Sequence, residues 1–174
     1  MLDYRELLSF VVCGVFWLGF SACACADVAV FDFEDAETGA YWRNPIRTSL
    51  TSSPTEVIDG NRSLKLDTLE SGSEWNELFV TLTNGVPMEG GKRYAISFQY
   101  TVLELNGNHS CFYMLARSQS GRGPDRGQVF WALDPDDPSL DTVKVVLPSG
   151  VDDYGFLFGV RHQGVVILDN IRIK

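Results

Sequence analysis

The amino-acid sequence predicts an all-β, two-sheet antiparallel sandwich, and three observations carry that expectation. Beyond residue 26 no run of apolar residues keeps a helical period. The apolar residues come instead in short alternating segments rich in valine, isoleucine and aromatics. Glycine, proline, asparagine and aspartate punctuate them, at Asp59-Gly60-Asn61, Asn84-Gly85, Gly90-Gly91, Asn106-Gly107-Asn108 and Asp134 to Pro138. Counted between such turns, the segments number about nine, spaced as in a sandwich.

Taken in order, the chain opens on a stretch that the fold does not need. Leu7 to Phe20 is almost wholly apolar, and Ala24-Cys25-Ala26 has the small-x-small form of a signal-peptidase site, so residues 1–26 read as a signal peptide. The run is shorter than the ~20 residues of a membrane-spanning helix, which favours export over anchoring. Asp3 and Glu6 outweigh Arg5, a poor n-region for an exported chain. Phe20-Ser21-Ala22-Cys23 also resembles a bacterial lipobox, in which Cys23 is lipidated and becomes the N-terminus. Two processing routes therefore fit, secretion and a lipoprotein leader. Both place the protein outside the cytoplasm or in the cell envelope.

Residues 27–174 form one domain of ordinary size, about 148 residues, with room for a real core. Its first strand, Val28 to Phe33, ends in Glu34 and Asp35. Strands follow at Ser63–Asp67, Leu78–Leu82 and Tyr94–Val102, where Tyr94, Ile96, Phe98, Tyr100 and Val102 alternate with smaller polar residues. Others are expected over Cys111–Ala116, Gln128–Leu133, Thr142–Leu147 and Gly155–Val160. The last, Gly164 to Lys174, runs continuously apolar through Leu168 and then alternates, describing a strand that enters a core and emerges half-exposed. Asp169 interrupts it at the change. The first and last strands read as neighbours, which brings Glu34 near Asp169.

The formal charge is -9, and removing Asp3, Glu6 and Arg5 with the leader leaves -8. With no basic cluster to overcome it, such a surface repels phosphate backbones, so nucleic acid is excluded as a partner. Three of the four cysteines lie in the leader, leaving Cys111 and no disulfide framework. Among Phe112, Tyr113 and Met114, Cys111 reads as a small buried residue.

Phe33-Glu34-Asp35, Trp42, Asp59 to Leu66, Gly91 to Tyr100 and Leu168 to Ile173, in that order, resemble the galactose-binding-like jelly-roll family. That family includes many carbohydrate-binding modules appended to bacterial glycoside hydrolases. The likeness covers nearly all of residues 27–174, although such modules usually accompany a catalytic domain and none is present. It implies a jelly roll and a carbohydrate partner. It also implies a structural Ca²⁺ where the first and last strands meet, held by Glu34 and Asp169 with carbonyls from the turn at Asp59 and Gly60. The alternative is that Asp169 caps a bulge and Glu34 is solvated.

Sugar sites pair flat aromatic rings with amides, carboxylates and arginine for the hydroxyls. Trp75, in a polar surround, and Trp131, beside the acidic turn at Asp134, read as platform or as core. For Trp42 the resemblance implies an aromatic buried under a loop, with a place in the sugar site as the alternative. Tyr113 and Arg117 share one strand face, and Arg161-His162-Gln163 is either a rim or a solvated turn. No nucleophile, metalloprotease or phosphate-loop motif occurs, so the expected protein is not an enzyme. The leading expectation is a secreted, non-catalytic carbohydrate-binding protein. Its rivals are an adhesion module of the envelope meeting a protein partner, and a small glycan-degrading enzyme.

Overall fold

The computed structural model describes residues 27–35, 39–132 and 139–174, excepting the side chains of residues 107–109, 131, 132 and 139–141. The signal-peptide reading and the turn at Asp134–Pro138 lie outside the described residues. Nine strands follow in order: β1 (Ala29–Phe31), β2 (Tyr41–Arg43), β3 (Thr48–Thr51), β4 (Ser63–Asp67), β5 (Trp75–Thr81), β6 (Arg93–Ser118), β7 (Arg126–Ala132), β8 (Ser139–Val146) and β9 (Tyr154–Ile173). All pairings are antiparallel.

Two of these strands are long, and they organise the rest. β6 and β9 pair with each other from Ile96↔Ile173 to Ser118↔Tyr154, with register shifts between Asn106 and Cys111. Their outer ends, Arg93–Asn106 and Val165–Ile173, are flanked by β8 on one side and by β4 and β3 on the other. β1 continues the line of β4 along β9, pairing Ala29 with Ile173. The other ends, Cys111–Ser118 and Tyr154–Arg161, are flanked by β7 on one side and by β5 and β2 on the other. Each long strand thus runs through both layers of a jelly-roll sandwich. We call the layer with β3, β4 and β8 the first sheet and that with β2, β5 and β7 the second.

The sequence reading had divided each long strand in two, taking Asn106-Gly107-Asn108 as a turn and Arg161–Gln163 as a loop. Both are bends inside continuous strands. At the β9 bend His162 adopts a left-handed φ of 63°, which turns the strand without ending its pairing. Side chains replace the ladder bonds lost there. Asn76 Nδ2 donates to the His162 carbonyl at 3.1 Å, Ser110 Oγ to that of Gln163 at 2.6 Å and Thr68 Oγ1 to that of Gly164 at 3.0 Å.

The core lies between the layers and is built on aromatic contacts. Phe98 of the first sheet meets Phe158 of the second edge-on at 5.2 Å, and Tyr100 stacks on Phe112 at 5.3 Å. Phe31 meets Phe79 at 5.4 Å, so even the short first strand is held by rings of the opposite layer. A bulge between Glu77 and Phe79 lets consecutive Leu78 and Phe79 both face inward. Cys111 is half-buried rather than fully covered, because it stands at the bend.

Candidate functional site

Alternation along β6 and β9 gives the second sheet two unlike faces. Phe112, Met114 and Ala116 of β6, with Phe156, Phe158 and Val160 of β9, enter the core. The intervening Tyr113, Leu115 and Leu157 form a separate apolar cluster on the outer face, with Val80 packed against it. Around that cluster stand Trp42 (42 % exposed), Trp75 (43 %) and Phe130 (45 %). Such large apolar rings left in water on one face are the informative departure from ordinary burial.

Glycine shapes the floor. A Cβ on Gly159 would lie 2.5 Å from the Tyr113 ring carbon Cζ and its hydroxyl, so the glycine lets that ring cross β9. Tyr113 is consequently 2 % exposed. Trp75 meets its ring edge-on at 5.4 Å, and Phe130 lies 6.0 Å from Trp75. The guanidinium of Arg161 sits over Trp75, 4.8 Å from the ring centre. Glu74 holds it there, Oε1 accepting from Nε at 2.9 Å.

Toward β2 the face opens into a groove of about 400 Å³ lined by Trp42, Glu77, Val80, Leu82, Arg117, Ser118, Gln119 and Leu157. Arg117 is bonded to Glu77 and lies 3.5 Å from Asp125. Burial works against the charge of Arg117, but the two carboxylates outweigh it and hold its pKa above the ordinary value. Burial, then the nearby Glu77 charge, pushes the Tyr113 phenol well up, so its hydroxyl stays protonated. The groove therefore combines flat apolar surface with fixed donors and acceptors whose charges are matched in pairs.

Of the residues singled out in the sequence, Trp75, Tyr113 and Arg117 come together on this face, Tyr113 as floor rather than platform. The side chain of Trp131 lies outside the described residues; its Cα pairs with Phe112, while Phe130 pairs with Tyr113. Trp42 overturns its expectation of burial: it faces outward opposite Val80 on the edge strand β2. Phe130 was missed. Its alternation with Val129 was visible, but not which phase faced out.

Glu34 and Asp169 line a second cavity, of about 180 Å³, with Asp32, Asp59, Gly60, Asn170 and Arg172. Glu34 Oε1 accepts the backbone N–H groups of Asn61 at 2.7 Å and Arg62 at 2.9 Å, and Oε2 the amide of Asn61 at 3.0 Å. These bonds, that from Arg62 foremost, lower its pKa. Asp169 is 1 % exposed and accepts from Ser63 Oγ at 2.5 Å and Asn170 N at 2.7 Å. Burial raises its pKa against those bonds. Among the described residues no group of three or more acidic, histidine or cysteine side chains forms a ready metal site. The carboxylates of Asp32, Glu34, Asp59 and Asp169 are oxygen donors of the kind a hard cation takes, although the Arg172 guanidinium lines the same cavity.

No protein-family model matches the sequence, and no curated protein matches it. Solved structures do match in fold. The CBM22-1 xylan-binding domain of Paenibacillus barcinonensis Xyn10C superposes with a TM-score of 0.61 at 13 % identity, over 86 % of this chain and 94 % of that one. The C-terminal family 22 carbohydrate-binding module of Clostridium thermocellum Xyn10B gives 0.59 at 14 %, over 84 % and 92 %. A further xylan-binding domain of the same class gives 0.58 at 15 %, over 86 % and 95 %. The chain has the fold of a carbohydrate-binding module. The jelly-roll resemblance read from the sequence is thereby borne out.

Proposed function

We propose that this protein is a non-catalytic glycan-binding module that takes a neutral oligosaccharide segment across the outer face of its second sheet. The observation that carries the reading is the placement of Trp42, Trp75 and Phe130, all exposed, on one sheet face around paired charges. Trp42 stands opposite Val80, five residues along β5 from Trp75. At about 3.4 Å per residue the two ends of the face lie roughly 17 Å apart along the strand. That span suits several linked pyranoses better than one. The rings offer stacking surfaces for the apolar sugar faces, and Glu77, Arg117 and Gln119 offer partners for hydroxyls.

The reading is non-catalytic because the carboxylates of this face are spent on arginines: Glu77 and Asp125 on Arg117, Glu74 on Arg161. The xylan bound by the neighbours in fold makes xylan-derived oligosaccharides the first ligands to try. Secretion or envelope attachment accords with the apolar run from Leu7 to Phe20 and the Ala24-Cys25-Ala26 site that follows it. The acidic cavity is proposed to hold Ca²⁺ through Asp169, Glu34 and Asp59 with backbone carbonyls. When bound, the ion would neutralise these acids and tie the termini together.

Titration with linear xylo-oligosaccharides of increasing length, followed by tryptophan fluorescence, tests the reading. Saturable quenching that strengthens with length until the face is filled is the expected result. A response to none of a panel of neutral glycans overturns it.

A further inference from the structure

The outer face of the first sheet, at the end where β1, β9, β6 and β8 lie side by side, carries a different chemistry. Cross-strand register sets its rows. Val30 pairs with Arg172, Arg172 with Ser97 and Ser97 with Thr142. The next row joins Lys174 to Ala95 through backbone hydrogen bonds, and Ala95 to Lys144. Beyond it Arg93 stands opposite Val146. Val28, Val30 and Val146 are exposed here, and so are Arg93, Lys144, Arg172 and Lys174.

Four of the chain's fourteen lysines and arginines thus gather on one face of a protein whose formal charge is -9. Asp27 lies against them, 3.4 Å from Arg172 and 3.6 Å from Lys174. Arg172 also lines the acidic cavity with Glu34 and Asp59, so the excess positive charge of the face is carried by Arg93, Lys144 and Lys174. Asp32 lies at its rim, and nearby Glu89 is engaged by Lys92 at 3.6 Å. The face also begins where the apolar leader ends. Only residues 21–26 separate Phe20 from Asp27, and Cys23 lies among them. A chain held at a membrane through this segment, by a lipidated Cys23 or an uncleaved leader, has this face within a few residues of the lipid, and the proposal rests on such a tether.

We propose that this face docks on an anionic lipid bilayer. The valines meet the interface while Arg93, Lys144, Arg172 and Lys174 meet headgroup phosphates. Juxtamembrane cations act in this way within a Debye length of an anionic surface. A hydrophobic tether joined to a basic patch binds far more durably than either signal alone. Because the glycan groove lies on the outer face of the other sheet, docking leaves that groove open to the outside.

The test uses the full chain bound to two kinds of vesicle, phosphatidylcholine alone and phosphatidylcholine mixed with phosphatidylglycerol. Lysine acetylation rates are read residue by residue by mass spectrometry and normalised to Lys65, which Glu56 engages in either case. Lys144 and Lys174 are expected to label severalfold more slowly on the anionic vesicles, and high salt should remove the difference. Lys144→Glu combined with Val146→Glu should restore the Lys174 rate. Equal rates on both vesicles, the behaviour of a domain that swings free on its leader, overturn the proposal. So does failure of the full chain to sediment with anionic vesicles. No glycan enters the experiment, so neither result bears on the groove.

Discussion

Trp42 and Tyr113 are both aromatic residues of the outer face, yet removing them should have opposite consequences. Trp42 is exposed on an edge strand, and exposed side chains away from special features cost about 0.5 kcal/mol or less when changed. Trp42→Ala should therefore melt close to the parent and lose glycan affinity. Tyr113 lies under Trp75 and Phe130 across Gly159. Cutting a buried ring of this size to alanine costs about 3–5 kcal/mol, so Tyr113→Ala should unfold well before the parent. Denaturant unfolding and calorimetric titration on the same two variants check this. A Trp42→Ala protein that unfolds early but binds normally when folded would show that Trp42 acts in packing. At this scale the sequence was half legible. It singled out Trp75, Tyr113 and Arg117, because a tryptophan in a polar surround, and an aromatic and an arginine at even spacing on one strand, are visible locally. It did not choose between Phe130 and Trp131, since a shift of one residue exchanges the faces of a strand and nothing within Gln128–Leu133 fixes its register.

At the scale of elements, the clasp between the termini holds two carboxylates shifted in opposite directions. The pKa of Glu34 is depressed below its usual 4.5 by the N–H groups of Arg62 and Asn61. A depressed carboxylate contributes stability that is present above the unfolded-state pKa and disappears as pH falls through the folded one. Glu34→Gln should accordingly melt below the parent at neutral pH, and the gap should close in acid. Asp169, raised by burial, has the opposite sign: its charged form weighs against the fold as pH rises. In the same thermal series Ca²⁺ should raise the parent melting temperature by relieving that charge, and Asp169→Asn should abolish the rise. A melting temperature indifferent to both calcium and chelator removes the ion from the account, while the Glu34 result stands separately. The placement of Glu34 and Asp169 on one cavity was readable from the sequence, because both interrupt terminal strands that proved to be neighbours. The continuity of β6 and β9 was not. Asn106-Gly107-Asn108 carries local turn chemistry, and only pairing with a partner more than fifty residues away keeps the strand running through it. β2 and β3, of three and four residues, fall below the length at which alternation can be recognised.

At the scale of the molecule, a sandwich made by bending two long strands presents two broad outer faces with different uses. One carries exposed rings among internally paired charges; the other carries cations and valines beside Asp27, where the described residues begin. All-β architecture was legible in full, because it needs only period-two segments and turns. The division of labour between faces was not, since it depends on which strands lie in which layer. The central claim is that glycan occupies the outer face of the second sheet. The most direct test is an amide ¹H–¹⁵N NMR titration of the assigned protein with xylohexaose. The account predicts that shifts concentrate in β2, β5 and β7 and in the Cys111–Ser118 and Tyr154–Arg161 halves of β6 and β9, with the indole N–H signals of Trp42 and Trp75 among the largest. Shifts centred on β3, β4 and β8, or a saturating ligand that leaves both indoles unmoved, would contradict it.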